Sequence, residues 1–167
     1  GIGDMTSLTE LKLNWCQKLV SLPERFGQCK SLTSLDLSGC SSLVSLSEGI
    51  GNLTSLTELN LRKCENLISL PERIGDLTSL TELNLSKCWE LKSLPERFGE
   101  LDLKKLNLYS CGALNMDAEI NKIVEMKNLT ELSIGNTNIS VLSERFGECK
   151  SLTALNLNWC TKLVSLP

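Results

Sequence analysis

Leucine recurs in this chain with a regularity that an ordinary core does not require. The frame Leu-x-x-Leu-x-Leu-x-x-Cys appears seven times, opening at Leu8, Leu32, Leu56, Leu80, Leu103, Leu129 and Leu152. In the sixth copy Ile134 replaces the third leucine and Thr137 replaces the cysteine. Successive copies are 24, 24, 24, 23, 26 and 23 residues apart. A period of about 20–29 residues belongs to stacked supersecondary units, none of which can bury its apolar face alone.

The third copy shows what each position is for. In Leu59-Asn60-Leu61 the alternation of apolar and polar residues predicts a short strand with one buried face, Glu58, Asn60 and Arg62 pointing outward. Cys64 is expected to close the strand from inside as a small, weakly hydrogen-bonding filler. Leu67 and Leu70 continue the core. Pro71 and Glu72 suit the start of a short 3₁₀ or helical turn, and Gly75 suggests a left-handed stop. Ile74, Leu77 and Leu80 then return the chain to the core at steps of three. Seven such units predict an α/β leucine-rich-repeat solenoid, a horseshoe arc with a parallel sheet on the concave side and 3₁₀ or short helical turns on the convex side. The fifth copy departs from the rule. Residues 115–126 carry neither Pro nor Gly and space Ile120, Ile123, Val124 and Met126 as a helix does, so we expect a true α-helix there.

Composition narrows the function. The chain has 167 residues, of which 41% are hydrophobic, and a net charge of −3, so it lacks the basic field that would hold a phosphate backbone; a nucleic-acid partner is not expected. Its longest apolar runs fall far short of the roughly 18 residues a membrane span needs, and no membrane partner is expected either. Histidine is absent, which removes Ser-His-Asp, Cys-His and His-metal chemistry. No phosphate-cradling Gly-rich loop occurs. We therefore expect no enzyme, no cofactor and no metal. Of the eight cysteines, six (Cys16, Cys40, Cys64, Cys88, Cys111 and Cys160) occupy one slot of the repeat. Cys29 and Cys149 stand where other copies carry leucine or methionine, so the expectation is buried free thiols and a reducing, cytoplasmic compartment. Four Asn-x-Ser/Thr sequons, at Asn52, Asn84, Asn128 and Asn138, are by-products of the repeat wording.

The positions that vary from copy to copy are the candidates for specific contact. Aromatic and arginine side chains are over-represented among binding hot spots, which places Trp15, Arg62, Tyr109 and Trp159 first and Lys63, Lys87 and Trp89 behind them. The competing reading is that Arg62 and Lys63 neutralise Glu58 and Glu82, and that each Trp packs on the rim of the stack. Glu10, Glu58, Glu82 and Glu131 recur by repeat and read as a solvated ladder.

The wording of residues 35–46, and of Leu67-Ile68-Ser69-Leu70-Pro71-Glu72-Arg73-Ile74-Gly75, resembles the Cys-bearing leucine-rich repeats of plant intracellular nucleotide-binding immune receptors. That resemblance implies a cytoplasmic recognition or autoinhibitory array in innate immune signalling. The expected function is a protein–protein interaction module that takes a protein ligand on its concave face; the alternative is a structural or autoinhibitory scaffold contacting other domains of a larger parent. Residues 1–167 form one domain on this reading. Both ends match mid-repeat wording, Ile2-Gly3-Asp4 with Ile74-Gly75-Asp76 and Ser165-Leu166-Pro167 with Ser69-Leu70-Pro71, so we expect a segment of a longer array without caps.

Overall fold

A computed structural model describes residues 1–167 as seven stacked coils. Each contributes one three-residue strand: β1 Glu10–Lys12, β2 Ser34–Asp36, β3 Glu58–Asn60, β4 Glu82–Asn84, β5 Lys105–Asn107, β6 Glu131–Ser133 and β7 Ala154–Asn156. They form a single parallel sheet in sequence order. The register carries the repeat forward unchanged, Leu35 opposite Leu59, Leu59 opposite Leu83 and Leu83 opposite Leu106. On the opposite side lie five-residue 3₁₀ turns such as Glu72–Asp76 and Glu96–Glu100. In the fifth repeat the turn is replaced by the expected helix, α1, Met116–Val124.

One continuous core of 42 buried residues runs between sheet and turns. Each buried leucine contributes about 1.5–3 kcal/mol relative to exposure, a gain that exists only when a neighbour covers it. The leucines of the first and last repeats, such as Leu11 and Leu157, are accordingly only partly buried.

Strands make up a small part of the backbone bonding. Of 94 backbone hydrogen bonds, 69 lie outside regular elements, in turns and between loops of adjacent repeats. Side chains extend the same pattern. The Cys64 thiol donates to the Leu37 carbonyl of the preceding repeat at 3.2 Å, and Cys88 does the same to Leu61. Thr57 donates to the Thr33 carbonyl and Thr81 to that of Thr57. Thr137, in the cysteine slot of the sixth repeat, bonds within its own repeat instead, to Ile134 at 2.7 Å. On the turn side Arg97 bridges Asp76 at 2.6 Å and Glu100 at 2.8 Å. Arg97, then Arg73, hold the Asp76 carboxyl below its ordinary range.

Three expectations need correction. Gly75 does not adopt a left-handed conformation; the one glycine with positive φ is Gly39. Turn glycines serve close stacking instead: a Cβ on Gly51 would lie 2.4 Å from the Arg73 carbonyl oxygen of the next repeat. Pro71 stands outside the 3₁₀ turn, capping it with a carbonyl that accepts from Ile74. Burial of the thiols is incomplete, since Cys16 is exposed and Cys149 and Cys160 are half-buried. The Leu13 carbonyl accepts from the Cys40 thiol at 3.2 Å.

Two outcomes follow from this packing. Gly51→Ala should destabilise the fold by about 1–3 kcal/mol through overpacking. Gly112→Ala, where an added Cβ meets nothing within 4 Å, should stay within about 0.5 kcal/mol in the same urea titration. Burial pushes the thiols of Cys64 and Cys111 up from 9.0 to about 12. The folded chain therefore keeps protons that the unfolded chain releases. Stability is complete below about pH 8.5 and is lost progressively as the pH climbs toward 12, which urea midpoints measured at pH 8 and pH 10.5 would reveal.

Candidate functional site

The residue between the two leucines of the strand reaches the sheet surface and, in five of the seven repeats, does a second job. Asn60 Oδ1 accepts from the Arg62 backbone amide at 3.1 Å, Asn84 from Ser86 at 3.0 Å and Asn107 from Tyr109 at 3.0 Å. Asp36 and Asn156 close the same turn onto Ser38 and Asn158. These short side chains hold the chain as it leaves the strand. Three residues beyond it the backbone is left-handed in every repeat: φ is 64° at Trp15, 59° at Lys63, 63° at Lys87, 61° at Ser110, 51° at Asn136 and 64° at Trp159, with Gly39 at 73°. Such conformations cost non-glycine residues on the order of 1–3 kcal/mol. Those of the first six repeats each aim their amide at the next repeat, as Lys63 does at the Ser86 carbonyl, 2.8 Å away.

This turn is where most of the sequence-derived candidates sit. Trp15, Lys63, Lys87 and Trp159 are the left-handed residues themselves, Arg62 and Tyr109 immediately precede such a residue, and Trp89 follows Cys88. All seven lie beyond the three-residue strands, on the rim of the sheet rather than on its face. Trp15 (55% exposed), Trp89 (49%) and Trp159 (74%) are open to solvent. The structure brings two of the candidates together: the Trp15 ring lies flat across Gly39, and the Lys63 ammonium stands 5.1 Å from its centroid. Arg62 and Lys63 do not neutralise Glu82, which pairs with Lys105 at 3.2 Å.

The sheet face holds what the repeat wording concealed. Strands β3 to β7 line an open groove of about 500 Å³ whose floor is the Glu, Lys and Asn side chains of alternate positions. In register, Glu10, Ser34, Glu58, Glu82, Lys105, Glu131 and Ala154 form one column. Lys105 interrupts it, reaching Glu82 at 3.2 Å and Glu131 at 3.8 Å, and its bond to Glu82 raises its pKa. The signal was available as the one basic residue in a column of acids.

With this geometry in view, the comparisons place the chain. The leucine-rich repeat region family matches residues 21–166, so the chain belongs to the leucine-rich-repeat family. Among solved structures it is similar to a leucine-rich-repeat protein of Leptospira interrogans, with a TM-score of 0.72 and 25% identity over 99% of this chain and 49% of that one. It is also similar to the leucine-rich-repeat ectodomain of the Arabidopsis thaliana membrane receptor kinase GASSHO1/SCHENGEN3, solved in complex with Casparian strip integrity factor 2. There the TM-score is 0.68 and the identity 30%, over 93% of this chain and 19% of the receptor. The chain thus spans about half the length of the first relative and a fifth of the second. No curated protein matches it. No helix is long and apolar enough to cross a membrane.

The turn makes a direct claim on stability. Asn84→Ala should lower it by about 0.5–1.5 kcal/mol by leaving the Ser86 amide without its acceptor. Trp159→Ala should stay within about 0.5 kcal/mol in thermal unfolding.

Proposed function

We propose that this chain is an interaction module that receives a protein ligand on the concave sheet face, with Trp15, Arg62, Lys63, Lys87, Trp89, Tyr109 and Trp159 supplying contacts from the rim. The observation that carries the reading is the groove over β3 to β7: an exposed floor held in fixed register by a scaffold whose buried leucines, not its outward charged groups, form the core. Preorganisation of this kind reduces what must be ordered on binding. A structural neighbour, the GASSHO1/SCHENGEN3 ectodomain, is itself seen in complex with Casparian strip integrity factor 2.

The wording of the repeats and their cysteine column supports the Cys-bearing subtype resembling plant intracellular immune receptors. On that reading the module is one domain of a longer parent, works in innate immune or signalling recognition, and resides in the cytoplasm. The column of thiols, Cys40 to Cys111 all free and buried, is the feature that favours a reducing compartment.

Photo-crosslinking tests the surface. A photoreactive residue at Asn107 should trap the ligand, and one at Glu100 on the 3₁₀ side should not. Replacing Trp15, Arg62 and Tyr109 together with alanine should reduce the Asn107 adduct at least tenfold. Adducts confined to Glu100 would instead support a scaffold that contacts other domains through its turn side.

A further inference from the structure

The sheet face holds the chain's whole excess of negative charge. Its outward strand positions carry five carboxylates, Glu10, Asp36, Glu58, Glu82 and Glu131, against two ammonium groups, Lys12 and Lys105. That leaves three net negative charges, equal to the net charge of −3 of the entire chain, so the remaining residues sum to zero. Within the face the charges are not equivalent. Glu10 is paired with Lys12 at 2.9 Å, and Glu82 and Glu131 share Lys105. Asp36 is engaged by the Ser38 amide. Glu58, at the β3 end of the groove, is the carboxylate of the face with neither an ion pair nor a hydrogen bond, and it adjoins Glu82 in register.

A second row of groups runs beside the carboxylates. Because the Oδ1 atoms of Asn60, Asn84 and Asn107 accept backbone amides, the orientation of each side-chain amide is decided, and its Nδ2 remains as a donor. The groove thus offers carboxylate acceptors on β3, β4 and β6 and, in the next row, amide donors on β3, β4 and β5, at about 4.8 Å from strand to strand. Carboxylates call for cations, and side-chain amide donors call for the carbonyl oxygens that every extended peptide presents.

Resting on the interaction reading above, we propose that the partner segment is an extended, basic peptide whose Lys or Arg side chain seats against Glu58 and Glu82, and that Lys105 sets its direction. The ammonium of Lys105 repels a second cation over β5, so the peptide is basic over β3 and β4 and uncharged over β5 to β7, where Ala154 leaves the floor open. About eight extended residues cover the five strands.

Fluorescence anisotropy with a labelled eight-residue Lys/Ser peptide, beside Gln/Ser and Glu/Ser peptides of equal length, tests this. The Lys/Ser peptide should bind, and weaken as salt shortens the screening length. Glu58→Gln should weaken it about threefold to tenfold, whereas Lys105→Gln, which releases Glu82 and Glu131, should tighten it by a similar factor. Glu90→Gln, an equal charge change away from the sheet, should leave it unchanged. Equal weakening by Glu58→Gln and Glu90→Gln, or weakening by Lys105→Gln, would overturn the proposal. If the crosslinks at Asn107 persist while these peptides show no preference for positive charge, the basic partner falls and the interaction module stands.

Discussion

No repeat of this chain is a folding unit by itself, because the partner of almost every group that matters lies one repeat away. The Cys64 thiol finds its acceptor in Leu37, the Thr57 hydroxyl in Thr33 and the Lys63 amide in Ser86, and the leucines of each coil are covered by those of the next. Stability is therefore a property of interfaces between neighbours, and local in space even where the chain is long. The left-handed backbone after every strand shows how strict this is. A residue as unsuited to that region as Trp15 is held there, since the alternative would turn its amide away from the Ser38 carbonyl.

The same arrangement separates the scaffold from the surface it displays. Inward leucines and the backbone carry the stacking, while outward positions of the strands are free to differ, and Lys105 in a column of glutamates illustrates that freedom. Asparagine is the exception, working on both sides: Oδ1 secures the turn and Nδ2 faces the groove. A contact surface built this way is rigid without being buried, and its electrostatics can change one strand at a time while its shape stays the same.

The architecture could be read directly from residue order. The leucine period located all seven strands, and the Ile120, Ile123 and Val124 spacing located α1, because both signals are local and periodic. What stayed illegible depends on distances between repeats. Gly51 looks like any turn glycine until the Arg73 carbonyl is placed against it, and Gly75 reads as a left-handed stop until Arg97 is. The candidate site was legible in part. The aromatic and basic residues were singled out, but their place on the rim followed from strands only three residues long. The groove is hidden in residue order because its glutamates recur with the repeat, and recurrence reads as mere solvation.

The unbroken register has one further consequence, for how such a chain changes over generations. Residues 52–61 and 76–85 are the same at nine of ten positions, so one coil can be aligned on the next, copied or deleted with little disturbance at the seam. Each event lengthens or shortens the groove by one strand, about 4.8 Å, and leaves every remaining position facing as before. Unequal recombination between such coils acts as a ruler with whole-repeat divisions, altering how long a ligand the surface spans independently of which side chains greet it.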